Sequence, residues 1–93
     1  MENEKIEKTQ REKMPPKMVF PENLRPFYAN FANFHFSLTE LTINFAYRKD
    51  EKNAEVGAKI ILSPQHAKIF HEVLTKLLND YEKNIGEIPT QNK

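Results

Sequence analysis

At Leu62-Ser63-Pro64 the chain changes from a hydrophobic period of two to one near 3.6. Before it, Leu41, Ile43, Phe45 and Tyr47 alternate with Thr42, Asn44, Ala46 and Arg48. Residues 54–62 alternate again, with Val56, Ala58, Ile60 and Leu62 on one face and Gly57, Lys59 and Ile61 on the other. Between these runs lies Lys49-Asp50-Glu51-Lys52-Asn53, a charged stretch that reads as a solvated hairpin loop. After the boundary, Ala67, Phe70, Leu74, Leu77 and Tyr81 form a 3-4-3-4 stripe, which Ile69, Val73 and Leu78 widen to both sides. Ser63 offers an oxygen to the free N–H groups of a first helical turn. Pro64 suits the first helical position, where its missing N–H costs nothing. The helix is expected to run to about Asn84, about 31 Å in length. Gly86 is expected to end it in a left-handed conformation, and Pro89 prevents its resumption.

Upstream, residues 28–37 are rich in aromatics (Tyr28, Phe31, Phe34, Phe36), and Phe34, Phe36 and Leu38 share one parity. The connection near Ser37–Thr39 is short enough for a hairpin, although it lacks the Asn-Gly type of turn. Three strands therefore form an antiparallel meander that a long helix follows. The fold class is α+β, in the order β-β-β-α, with a single domain over residues 28–88.

A chain of 93 residues holds one domain. It buries only roughly 60–65% of the surface its unfolded form exposes, so stability is marginal. The chain has no cysteine, which removes disulfides, cysteine nucleophiles and thiolate zinc sites from consideration. It also suits a reducing compartment. Association with further copies is the remaining source of stability. The helical stripe supports this, because it is wider than one three-stranded sheet can cover. A homo-oligomer is expected, a dimer or a higher even number.

The net charge is +1. From Phe27 to Ile88 there are seven Lys/Arg against eight Asp/Glu, a net of −1 (7 − 8). A nucleic-acid binder usually carries a basic stripe, so the balance argues against that partner class. Residues 1–17 mix charges of both signs with almost no apolar content and read as a disordered tail. Glu4/Lys8 and Glu7/Arg11 have helical spacing, but Pro15-Pro16 would stop a helix. Residues 18–27 read as an extended strap broken by Pro21 and Pro26. Its Val19, Phe20 and Leu24 are expected to cover either the domain's own core or a neighbouring subunit. Residues 89–93 form a short C-terminal tail. Met-Glu-Asn-Glu-Lys at the start does not read as a signal peptide. Apolar runs such as Ile60-Ile61-Leu62 fall far short of the ~20 residues of a membrane span. A cytoplasmic location with no membrane contact is the expectation.

Candidate chemistry is sparse. His66 and His71 are five apart and point roughly 140° away from each other on a helix, unlike a chelating i,i+4 pair. His35 lies on a strand. Asp80 and Glu82 flank Tyr81 and face differently, while Asp50, Glu51 and Glu55 belong to the charged loop or its edge. Glu40, at the first turn, is the one carboxylate near apolar residues, as acid–base work would need. The aromatics Tyr28, Phe31, Phe34, Phe36, Phe45 and Tyr47 invite comparison with a base-stacking platform, which would also need interleaved Lys/Arg. The first strand has none, so packing or an interface is the preferred reading. Gly57 and Gly86 are the only glycines, so no phosphate-binding loop is present. No catalytic residue, metal ligand or cofactor site emerges, and no enzymatic activity is expected.

Tyr28-Ala29-Asn30-Phe31, Ile61-Leu62-Ser63-Pro64-Gln65-His66-Ala67-Lys68, and Tyr81-Glu82 followed by Ile85-Gly86-Glu87-Ile88 resemble short bacterial and archaeal proteins grouped as domain of unknown function 3467. The resemblance covers residues 28–88. It implies a small cytoplasmic protein with no assigned activity, cofactor or catalytic residue, so no functional position carries over. Its matching residues read as fold-makers: Ser63-Pro64 starts the helix, Ala67 lets the first turn approach the sheet, and Gly86 stops the helix.

The reading is a self-associating, non-catalytic binding or scaffolding module. Its candidate fold and interface residues are Tyr28, Phe31, Phe34, Phe36, Ser63, Pro64, Ala67, Phe70, Val73, Leu74, Leu77, Tyr81 and Gly86. The alternatives are a nucleic-acid-associated or transcription-related protein and a small export-chaperone-like protein that holds unfolded chains. The latter is an analogy of fold alone.

Overall fold

A computed structural model describes residues 15–90. Residues 1–14 and 91–93 lie outside it, and with them most of the expected N-terminal tail and the end of the C-terminal one. The described elements are β1 (Phe31–Phe36), β2 (Leu41–Arg48), β3 (Ala54–Leu62) and one helix, α1 (Pro64–Asn84). The strands form an antiparallel sheet in the order β1-β2-β3, which is the expected β-β-β-α architecture.

The β1–β2 hairpin closes without glycine. Ser37 N–H donates to Glu40 O (2.8 Å), and the Ser37 hydroxyl accepts from the N–H groups of Thr39 and Glu40. A serine side chain thus does the work expected of an Asn-Gly pair, and no described residue other than glycine has a positive φ. The second hairpin turns on Asp50, whose Oδ1 accepts from the N–H groups of Lys52 and Asn53, both at 2.8 Å. Arg48 braces the same loop, donating from Nε to Asp50 O and from Nη2 to Glu51 O.

Register divides the side chains between two faces. Phe36, Leu41 and Leu62 lie in one row, Phe34, Ile43 and Ile60 in the next, then Ala32, Phe45 and Ala58. These rows make an apolar face. The opposite, mixed face carries Phe31, Asn33, His35, Thr42, Asn44, Ala46, Lys59 and Ile61. Here one expectation is corrected. A bulge between Phe45 and Ala46 places Val56 opposite Ala46, while Ala58 opposes Phe45. Gly57 is the unpaired extra residue, so Val56 leaves the row of Ala58, Ile60 and Leu62. The extra residue is a glycine because of a contact 30 residues upstream in the sequence. The Phe27 ring sits over Gly57, where any Cβ would collide with it.

The start of β1 is also shorter than the aromatic pattern suggests, beginning at Phe31. Asn30 stands in for a paired strand residue. Its Oδ1 accepts from Arg48 N–H (2.7 Å) and its Nδ2 donates to Arg48 O (3.4 Å), so one amide side chain satisfies both main-chain groups. On the mixed face Asn44 donates to Asn33 Oδ1 at 2.9 Å.

Helix α1 starts as expected. Ser63 Oγ accepts from His66 N–H at 3.0 Å, and Pro64 fills the first position. Its end differs in detail. Ile85 N–H and Gly86 N–H both donate to Tyr81 O, at 2.8 and 3.4 Å, and Ile88 N–H donates to the Glu82 carboxylate at 2.9 Å. Gly86 has φ +155°, a glycine conformation on the extended side of the left-handed one expected.

The helix approaches the sheet along β3, with His66 and Phe70 of its first turns beside Ile43, Phe45, Ile60 and Leu62. Ala67 is half-buried and no helical residue is buried. In the whole described chain the buried apolar residues are Ile43 (5% exposed) and Ala46 (3%). The strap does not make up the deficit. Val19, Phe20 and Leu24 are exposed, which sets aside the expectation that they cover the domain's own core.

Candidate functional site

The surface available for function is apolar, and it lies on the face that carries Ile43. Ile43, Phe45, Ile60 and Leu62 floor a groove of about 330 Å³, and His66 and Phe70 of the first helical turns form its wall. The floor continues across Phe45 and Ile60 into a second hollow of about 460 Å³ under Phe27, Ala29 and Ala58. A third hollow opens where Phe36, Leu38, Leu41 and Pro64 meet at the β1–β2 turn. Phe36 and Leu38 stand 85% and 95% exposed there, an unusual cost for side chains of that size.

The helix adds a second apolar surface. Ile69, Phe70, Val73, Leu74, Leu77, Leu78 and Tyr81 are each between 38% and 62% exposed. For side chains of this size that leaves roughly 600 Å² of apolar surface. The sheet side, with Phe27, Phe34, Phe36, Leu38, Tyr47 and Ile60, contributes a similar area. A monomer seldom shows more than about 300–600 Å² in one patch.

The aromatics do not form one platform. Phe34, Phe36, Phe45 and Tyr47 lie on the apolar face, but Phe31 pairs with Ala46 on the mixed face. There the Arg48 guanidinium lies 5.5 Å from the Phe31 ring centroid, a cation–π distance. Tyr28 meets Tyr47 edge-on at 6.2 Å. The alternation that defines a strand separates the aromatics, and only the register shows which side each takes.

Polar chemistry stays scattered. Among the described residues no group of three or more His, Asp or Glu is placed to hold a metal ion. His66 lies at the groove, His35 on the mixed face of β1, and His71 on the exposed helix. Glu40 reaches the rim of the hollow at the first turn and is exposed. Asp50 has its pKa lowered, chiefly by the Lys52 and Asn53 N–H groups that it accepts. That shift belongs to a loop brace, because the carboxylate is fully exposed and faces its own turn. No described helix is long and apolar enough to cross a membrane.

Of the sequence-derived candidates, Phe36 and Phe70 border the apolar hollows, with Pro64 at one end, and Phe34 lies opposite Ile43 on the same face of the sheet. Val73, Leu74, Leu77 and Tyr81 continue the surface along the helix. Ser63, Ala67 and Gly86 shape the helix: Ser63 caps its start, Ala67 is half-buried in its first turns, and Gly86 N–H bonds back to Tyr81 O at its end. Phe27, Ala29, Asn30 and Gly57 were not among the candidates, and the strap–sheet contact that distinguishes them leaves no periodic signal.

The model of one protein family, described as protein of unknown function (DUF3467), matches residues 1–90, and the chain belongs to that family. No curated protein and no solved structure matches the chain.

Proposed function

We propose that this member of the family is a self-associating, non-catalytic binding or scaffolding module of the cytoplasm. The observation that carries the proposal is the near-absence of a core. Ile43 and Ala46 are the buried apolar residues, while large side chains from Met18 to Ile85 stand exposed. A protomer of this kind gains too little from its own burial to offset the entropy of ordering its chain. The exposed helix and sheet surfaces together amount to roughly 1,200 Å² per copy. A stable interface of standard size needs about 800 Å² per partner, so association of copies suffices to supply the missing burial. Balanced charge lets copies approach, since the domain between Phe27 and Ile88 carries a net of only −1 (seven Lys/Arg minus eight Asp/Glu). Sedimentation equilibrium at low micromolar concentration tests the reading. A mass of two or more copies is expected. A cooperatively folding 11.0 kDa species would refute it.

A further inference from the structure

We infer that two copies join through the edge of β1 that no other described strand pairs with, antiparallel, with the two-fold axis at Phe34, so that the two sheets become one of six strands. The inference rests on the self-association proposed above and specifies where it occurs.

The sheet has two edges, and they differ. β3 is guarded: it carries the Gly57 bulge, the Phe27 ring lies over that bulge, and Glu55 and Lys59 add charge. Bulges and charges of this kind block edge-to-edge pairing. β1, Phe-Ala-Asn-Phe-His-Phe, has no proline, no Lys or Arg, no carboxylate and no bulge in its six residues.

The phase of the ladder fixes which groups are free. Ser37 N–H donates to Glu40 O in register with the rest of the β1–β2 pairing, so residues 33 and 35 also turn their main-chain groups toward β2. The N–H and C=O groups of Ala32, Phe34 and Phe36 therefore face outward. These three are spaced symmetrically about Phe34. An antiparallel second copy places Phe34 opposite Phe34, Ala32 opposite Phe36 and Phe36 opposite Ala32, and six N–H···O bonds form.

The side chains suit that register. On the apolar face a large ring meets a methyl at each end, and two rings meet at the axis. On the mixed face Asn33 comes opposite His35, so no like charges oppose at neutral pH. The apolar floors of the two copies become continuous, and Phe34 and Phe36, exposed in the protomer, come to lie near the centre of the joined sheet.

Because the chain has no cysteine, single introduced thiols report this geometry without interference. Bonded antiparallel partners lie about 5.5 Å apart at Cα, inside the range of about 4.4–6.8 Å that a disulfide spans. Full-length Phe34→Cys should oxidise to a covalent dimer. Ala32→Cys and Phe36→Cys should each stay uncoupled alone, since a residue and its own copy are then about 13 Å apart along the strands. The last two variants refolded together should couple to each other. Sedimentation of the unmodified chain separates the two ways of failing. If it assembles while Phe34→Cys and the mixed pair both stay uncoupled, the β1 edge is not the junction and the self-association reading stands. If it sediments as a single copy, both are overturned.

Discussion

Gly57→Ala should destabilise the protein through one contact, the ring of Phe27. Gly57 lacks the positive φ that would demand glycine, since Gly86 is the described glycine with one. What excludes a side chain is space, because a Cβ would overlap three carbons of the Phe27 ring. The ring must move, and the cost is bounded by what it loses in doing so. Phe27 is 41% exposed, so roughly 120 Å² of it is covered, worth about 3 kcal/mol at about 25 cal/mol per Å². Partial relief by side-chain rotation brings the expected cost to about 1–3 kcal/mol, as for other overpacked sites. For a domain of this size that lowers Tm by roughly 5–20 °C. A double-mutant cycle with Phe27→Ala isolates the contact. Once the ring is gone, the three atoms the methyl would overlap are gone with it, so the double variant should be about as stable as Phe27→Ala alone. Additive losses in thermal or denaturant unfolding would show that the glycine serves the bulge backbone, and that the packing argument is wrong.

The other glycine makes the opposite case. A Cβ at Gly86 meets nothing within 4 Å, yet φ is +155°, so Gly86→Ala should cost about 1–3 kcal/mol through backbone strain, and no neighbouring truncation should restore it in the same unfolding assay. Asn30→Ala removes both hydrogen bonds to the Arg48 main chain and should cost about 1 kcal/mol, read as faster hydrogen exchange at Arg48 N–H; unchanged exchange would refute the pairing. The Asp50 carboxylate has a folded pKa below its ordinary 3.8, so its contribution is fully present above that value and is lost as pH falls through the lower folded pKa. The amide shifts of Lys52 and Asn53 should titrate together in NMR with a midpoint below 3.8; a midpoint at or above it would show that the brace is not formed. Leu74 is 38% exposed in the protomer, so Leu74→Ala should cost only about 1 kcal/mol in a lone copy, but about 2–5 kcal/mol where an assembly buries it. Denaturant midpoints measured at low and high protein concentration distinguish these values.

The elements whose cause is local were legible in the chain. Two alternating runs, a charged loop and a Ser-Pro boundary define β2, β3 and the start of α1, because periodicity and capping depend on residues a few positions apart. The details that depend on distant residues were hidden. The bulge that turns Val56 away from Ala58 lies where Phe27 crosses Gly57, a contact between residues 30 positions apart. The start of β1 depends on Asn30 reaching Arg48, 18 residues away. The apolar site was half legible. The stripe from Phe70 to Tyr81 announced a face too wide for one sheet, but its spacing cannot tell how far the helix stands off that sheet. Nor can spacing alone place Phe31 on one side and Phe34 on the other until the register is known.

The exposed helix and the exposed sheet bear on one another. Had α1 folded back along the apolar face, Leu74 and Leu77 would have covered Phe45 and Ile60, and the chain would hold an ordinary small core. The strands and turns are well satisfied locally, by Ser37, Asp50, Asn30 and Ser63, so the secondary structure does not lack hydrogen bonds. What the described residues lack is buried apolar area, which the association proposed above would supply. If copies associate as proposed, folding and association become one equilibrium, and apparent stability should gain about 1.4 kcal/mol for each tenfold rise in protein concentration. On that proposal the module would be ordered where copies are abundant and lose structure when diluted, which a concentration series of unfolding midpoints would read directly.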